Sequence, residues 1–314
     1  MPFSEVKRVA REVKEMIEAW EDAYDLAFSL SYNVTGGEPF LRADLFDVLR
    51  EIGENRGDIY LLTNGTLLTS EKAENLAAHG VKGVQVSIEG PEKVHDQIRG
   101  RGNFNKALQG VSQLLEAGII VTLNATLSRI NADYLMVFVD LASRLGVQRL
   151  GFSRLVPTGR GKGLLEEMLE PDEVERVYQA VFSVNVPGLE IVTGDPIASQ
   201  TRDDSAEDLG SVPVGGCAAG VSGLTFLPDG TITPCRRLPV PIGNIRTDAL
   251  REVWATSGVL NLLRDRSAYK GKCGHCARWA NCRGCRAIAS AYARSKGRDD
   301  FLAEDPQCFT EDRV

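Results

Sequence analysis

LAFSLSYNVTGGEPFL, residues 26–41, joins a strand-like run to a glycine pair, an acid and a proline. Leu26–Val34 is apolar, aromatic and β-branched enough to read as a strand, and Thr35-Gly36-Gly37-Glu38-Pro39 ends it. Working outward, the same arrangement recurs. Ile59–Leu62 is followed by Thr63-Asn64-Gly65, and Val84–Val86 by Ser87-Ile88-Glu89-Gly90-Pro91. Ile119–Leu127 carries Asn124 within it and Ser128 just after, while Leu150–Leu155 carries Ser153 and Arg154. Helical periodicity covers 4–22 and then 42–54, 70–79, 103–117, 132–145 and 171–183. Strands alternating with helices predict an α/β fold of parallel βαβ units, as in an open or closed barrel. Such barrels build their sites from the carboxyl ends of the strands. Asn-Gly and Gly-Pro are also ordinary turn formers, so either reading stands for most of these ends. At Gly36-Gly37-Glu38 the ligand reading leads, because paired glycines beside an acid allow close backbone approach.

The last third has a different chemistry. All seven cysteines lie there: Cys217, Cys235, Cys273, Cys276, Cys282, Cys285 and Cys308. Four of them read C-x2-C-x5-C-x2-C from Cys273 to Cys285. Thiolates at this spacing are soft ligands suited to iron–sulfur clusters or to zinc. A disulfide framework suits a short secreted chain, whereas no signal peptide is read here and the count is odd. Metal binding in a reducing, cytoplasmic setting is expected.

At 314 residues two domains are expected. Residues 1–185 read as the strand–helix part, 186–216 (rich in Asp, Ser, Gly and Pro) as a linker, and 217–314 as a cysteine domain. In the last, a hairpin is expected at Pro228-Asp229-Gly230 and a helix at about 248–266. A net charge of −7 argues against a nucleic-acid surface, which would be basic. Apolar stretches such as Gly118–Leu123 and Tyr134–Ala142 are too short to span a bilayer, so no membrane partner is expected.

On these residues the chain resembles the radical S-adenosylmethionine (SAM) superfamily. Thr35–Leu41 is similar to the segment that holds the SAM amino group there. Thr63–Thr66, Val86–Pro91 and His95–Gly100 resemble the next strand ends of its peptide-modifying branch. Cys217-x12-Gly230-x4-Cys235, the quartet and Cys308 resemble that branch's SPASM extension, although Cys282 and Cys285 stand one residue closer than the family pattern. The superfamily's C-x3-C-x2-C is absent, since no cysteine precedes Cys217. The resemblance therefore implies a partial (β/α) barrel of parallel strands missing its first strand, followed by a small SPASM-type iron–sulfur domain. Truncation is the expected cause, because helix 4–22 would normally follow a strand, and genuine loss of the segment is the alternative.

The resemblance also implies roles. Gly36, Gly37 and Glu38 would meet the SAM amino group, Ser87 and Asn124 its ribose and methionine parts, and Arg154 its carboxylate. A surface ion pair is the alternative for Arg154, and ordinary solvation for Glu89. Cys273, Cys276, Cys282 and Cys308 resemble the ligands of an outer auxiliary [4Fe–4S] cluster. Cys217, Cys235 and Cys285 resemble three ligands of an inner one, whereas zinc would leave Cys217, Cys235 and Cys308 without a role. Implied partners are a peptide or protein substrate and a reductant such as ferredoxin or flavodoxin. With the first loop restored, the expected activity is SAM cleavage to a 5′-deoxyadenosyl radical that modifies a side chain. As it stands the chain lacks the thiolates for the SAM-cleaving cluster, so it is not expected to cleave SAM itself. The alternative is a non-catalytic iron–sulfur or electron-transfer protein that kept the SPASM fold.

Overall fold

The strand-like runs fold as six strands: β1 (Ser31–Val34), β2 (Asp58–Thr63), β3 (Gly83–Ser87), β4 (Val121–Leu127), β5 (Arg149–Arg154) and β6 (Glu190–Val192). The computed structural model describes residues 1–202 and 210–310, so the portion of the expected linker at 203–209 lies outside the described residues. The strands form one sheet in chain order with β1 and β6 at its edges. Pairing is parallel, as in Val34↔Leu61, Leu61↔Val84 and Val84↔Val121. Parallel neighbours need a crossover. Helices supply it: α1 (Phe3–Tyr24) precedes β1, and α2 (Leu45–Glu54), α3 (Ser70–Ala78), α4 (Glu92–Arg99), α5 (Asn103–Glu116), α6 (Leu135–Leu145) and α7 (Pro171–Ser183) lie between the strands. The architecture is a partial (β/α) barrel, as expected.

Side-chain alternation divides the sheet into two faces. Val34, Leu61, Val84 and Val121 share a register row on the apolar face. On the opposite face Leu62, Gln85 and Thr122 share a row, and the next pair along is Ser87 with Asn124. Thus Ser87 and Asn124 stand on the face away from the apolar row, whereas Thr63, at the end of β2 and paired with Val86, lies on the apolar face.

Two elements differ from expectation. α4 follows Gly90-Pro91 in a stretch read only as a motif, and β6 falls within the stretch read as linker. β6 is three residues long, with Arg149 Nε 2.8 Å from Glu190 Oε2 beside it.

The chain divides into two compact units, each taken here by itself. The first comprises residues 1–125, 133–151 and 185–192; the second, 126–132, 152–184 and 193–314. Residues 152–184 join the cysteine region because Arg154 and Tyr178 are tied to Asp195 and Asp305. In the second unit α8 (Ser199–Arg202) precedes the antiparallel β7 (Thr225–Phe226), β8 (Thr231–Thr233) and β9 (Gly243–Asn244), which turns at the expected hairpin. The helix expected at 248–266 is broken into α9 (Leu250–Thr256) and α10 (Gly258–Arg264), where Ser257 caps the second by accepting from Leu260 N. α11 (Lys272–His275) and α12 (Arg286–Ser295) carry the cysteine quartet's flanks. Among the described residues no helix is long and apolar enough to cross a membrane.

Candidate cofactor-binding sites

Within the first unit, the carboxylate of Glu38 organises the strand ends. Its Oε1 accepts from Thr63 Oγ1 at 2.7 Å and Phe40 N at 3.2 Å, and its Oε2 from Asn64 N at 2.9 Å. The carboxylate thereby links the loop after β1 to the end of β2. Thr63, buried and not expected as a site residue, also accepts from Gly65 N at 3.1 Å. Its signal was present in the sequence as the first residue of Thr63-Asn64-Gly65.

Gly36 and Gly37 are exposed, have no left-handed φ, and would meet no atom within 4 Å if either gained a Cβ. Neither backbone conformation nor crowding within the protein therefore requires glycine at these positions. The open backbone there leaves room for a ligand such as SAM. Ser87, at the end of β3, and Asn124, midway along β4, are register partners and half-buried, and among the described residues no protein group pairs with either side chain. The structure thus brings Ser87 and Asn124 together.

Glu89 does not face solvent. It is 2% exposed and ion-paired to Arg99, whose Nε donates to Oε1 at 2.8 Å. Its own N–H donates to His95 Nδ1 at 3.3 Å. Burial, with the Arg99 charge behind it, lowers the His95 pKa to about 4, so the imidazole is neutral at pH 7.

Arg154 requires a correction. It belongs to the second unit, its side chain is 0% exposed, and neither a SAM carboxylate nor a surface ion pair is its partner. Nε and Nη2 donate to Asp195 at 2.6 and 2.9 Å, Nη1 and Nη2 to Asp305 at 2.9 and 2.8 Å, and Nη1 to Gln307 Oε1 at 3.0 Å. A guanidinium has five N–H donors, and these bonds use them all. Asp195 also accepts from Tyr178 Oη at 2.7 Å. Asp305 Oδ2 accepts from the backbone N of Cys285 at 2.8 Å, so this buried group is anchored to a cysteine of the array. The Asp305 pKa stays low although burial opposes it, because Arg154 and these N–H groups hold the ionised form.

All seven cysteines are free thiols. Cys217 and Cys235 pack against the apolar cluster that contains Cys285, with Leu155, Val156, Ala219 and Leu238. Cys273 packs separately with Tyr269 and Trp279. Gln200 Nε2 stands 3.6 Å from Cys282 Sγ and 3.8 Å from Cys308 Sγ. Burial, and behind it the neighbouring Cys308, raises the pKa of Cys273, Cys276 and Cys282. For Cys285, burial pushes the pKa up to about 12, and Cys217 adds to it. The structure therefore brings Cys282 and Cys308 to one Gln200 amide and packs Cys217 and Cys235 against the cluster of Cys285, with the Cys217 backbone N donating to Cys282 O at 3.1 Å. Among the described residues no three such groups converge tightly enough for a single ion. A cubane is held by one thiolate per iron, which spreads its ligands more widely.

The surroundings also fit an anionic cluster. Arg286 is fully buried with its Nε unpartnered, and Trp279 Nε1, beside Cys273, is likewise a buried donor without an acceptor. Native interiors rarely leave such donors unmet. Gln200, Asp305 and Arg286 escaped the sequence reading, since nothing in their local sequence announces a sulfur neighbour.

Known proteins resemble this chain in sequence and in fold. Residues 2–142 match the Radical SAM superfamily, and residues 217–286 match SPASM, an iron–sulfur cluster-binding domain. The AdoMet-dependent heme synthase of Methanosarcina barkeri is 34% identical over 292 residues, covering 88% of this chain and 81% of that protein. Mycofactocin maturase MftC of Mycobacterium tuberculosis is 31% identical over 287 residues, covering 88% and 70%. Native anSMEcpe with bound AdoMet and Cp18Cys peptide superposes with a TM-score of 0.69 at 17% identity, covering 98% of this chain and 86% of that one, which is a likeness of fold.

Proposed function

The chain belongs to the radical SAM superfamily, in its SPASM-bearing branch, and from this premise we propose that it serves SAM-dependent radical modification of a peptide or protein side chain. The observation that carries the reading is the packing of Cys217 and Cys235 with Cys285, and of Cys282 and Cys308 about Gln200, on a chain whose strand ends leave open backbone at Gly36 and Gly37. Kinship with a maturase at 31% identity supports the peptide substrate. In this reading the backbone at Gly36 and Gly37 and the carboxylate of Glu38 receive the SAM amino group, while Ser87 and Asn124 orient its ribose and methionine. Cys273, Cys276, Cys282 and Cys308 hold an outer [4Fe–4S] cluster, and Cys217, Cys235 and Cys285 three corners of an inner one. When bound and given one electron, SAM would release methionine and supply a 5′-deoxyadenosyl radical for hydrogen abstraction, and the auxiliary clusters would supply electron transfer. The thiolates of a SAM-reducing cluster are not among residues 1–216, which hold no cysteine. A one-electron donor of the ferredoxin or flavodoxin type would serve the clusters, and a reducing, cytoplasmic setting suits seven free thiols.

The 34% identity to a heme synthase favours a second substrate class, a heme-type macrocycle. Binding of an iron porphyrin and of a fluorescent precursor-type peptide to the anaerobically reconstituted chain separates the two. Saturable peptide binding without a porphyrin Soret shift supports the first reading. The reverse result replaces it with the second.

A further inference from the structure

Arg286 is the most deeply buried cation near the thiols, and its charge lacks the partner that such charges need. Its side chain is 0% exposed; Nη1 donates to the carbonyls of Ala303 at 2.7 Å and Phe301 at 3.4 Å, and Nη2 points at Cys273 Sγ at 3.6 Å. The guanidinium lies 4.9 Å from the Tyr269 ring centroid. The nearby carboxylate, Asp305, is taken up by Arg154 and by the backbone N–H groups of Cys285 and Gln307. A guanidinium buried with carbonyls and a thiol alone is costly, because a buried charge is tolerated when an opposite charge accompanies it. Gly284 keeps the contact short. It has φ +59°, and a Cβ there would lie 2.7 Å from Arg286 Nη2 and 3.3 Å from Cys273 Sγ.

A second donor reaches the same thiol group from another part of the chain. Gln200, 8% exposed on the short helix α8, directs its amide nitrogen at Cys282 and Cys308. Gly284 N adds a backbone donor to Cys282 Sγ at 3.3 Å. Three of the four thiols in this group therefore carry a buried side-chain N–H donor. No such side-chain donor is recorded at Cys217, Cys235 or Cys285 among the described residues.

We propose that Arg286 and Gln200 are tuning residues that raise the reduction potential of the outer cluster above that of the inner one. The proposal rests on the cluster reading above. On reduction the cluster takes one electron from a low-potential donor, and no bond is made or broken. The reduced form is one unit more negative, so N–H groups and a cation at its thiolate sulfurs stabilise it more than the oxidised form. The inner group lacks these side-chain donors and stays lower. This orders the two sites: an electron delivered to the domain rests at the outer cluster first.

The test is a redox titration of the reconstituted full chain, followed by electron paramagnetic resonance, beside an iron count. Gln200→Met keeps the volume and removes the donor; Arg286→Lys keeps the charge and loses the fork. We expect each variant to keep its iron and to make reduction of one signal about tenfold less favourable, which for one electron is about 59 mV. The other signal should not move. Unchanged signals in an iron-replete Gln200→Met protein would overturn the tuning role while leaving the clusters standing. Equal movement of both signals, or loss of iron on that substitution, would also overturn it by showing a structural role. A wild-type protein that takes up zinc and no iron would remove the cluster reading and the proposal together.

Discussion

The strand-end site of the first unit and the cysteine array of the second handle buried polarity in opposite ways. At the strand ends the one carboxylate that matters, Glu38, already has three donors from the protein. That carboxylate needs no ligand in order to be satisfied. In the cysteine array a guanidinium is buried without a carboxylate of its own, its Nε and Trp279 Nε1 lack acceptors, and burial pushes several thiol pKa values up. That region is complete only when something anionic joins it. The difference teaches that the first site is preformed and its ligand optional for folding, whereas the second couples folding to its cofactor.

The largest expected effect breaks that comparison outright if it fails. Anaerobic reconstitution should load about eight irons, as two [4Fe–4S] clusters, and little zinc. Stripping the iron with a chelator should then loosen the second unit selectively, because ligation energy is folding energy where no site preforms. Hydrogen exchange should accelerate across 273–308 while β2, β3 and β4 keep their protection. Uniform loss, or none, would show that the two regions do not differ in this way.

Next in size is Arg154. Replacing it by Ala leaves Asp195 and Asp305 buried without their cation, which costs about 3–5 kcal/mol in comparable pairs. Denaturant unfolding should show that loss. SAM affinity of the folded fraction should be unchanged, since all five donors of Arg154 are engaged elsewhere. A stable variant that no longer binds SAM would restore the carboxylate role expected from sequence.

Arg154 also shows where the sequence stops being legible. The strand ends could be read because each lies next to the run that makes it a strand: Gly36, Ser87 and Asn124 are placed by local alternation. The partners of Arg154 lie 41 and 151 residues away along the chain, and no periodicity reports them. Gln200 and Arg286 were hidden for the same reason, being defined by sulfurs 82 and 13 residues distant. β6 was missed because three residues carry too little alternation to stand out from a loop.

A smaller effect should follow pH. The folded His95 titrates at about 4, against about 6.5 in an unfolded chain. As pH falls through that window the unfolded state takes up the proton first, so stability declines between pH ~6.5 and ~4 and then levels for this group. Asp305, whose pKa is held low, adds its own loss only below the ordinary carboxylate value of about 3.9. His95→Gln should flatten the upper part of the profile. A profile that keeps its slope in that variant would place the proton uptake elsewhere.

The smallest effect on stability is the sharpest probe of the strand-end site. Gly36→Ala adds a methyl group that meets nothing within 4 Å, at a position without a left-handed φ. Stability should hold or rise by up to about 1 kcal/mol, because the unfolded chain loses freedom. Binding should respond the other way. SAM held by a few polar contacts, without a metal anchor, is expected to bind this chain with a Kd on the order of 0.1–1 mM. If its amino group approaches the bare backbone, the added methyl occupies that approach, and affinity should fall by about tenfold, some 1.4 kcal/mol. Calorimetry on the folded variant reads both quantities. A protein that is as stable and binds SAM as well as before would mean that the open space at Gly36 and Gly37 faces solvent alone. The comparison would then lose its first term, and the preformed site would have to be sought along the Ser87 and Asn124 row instead.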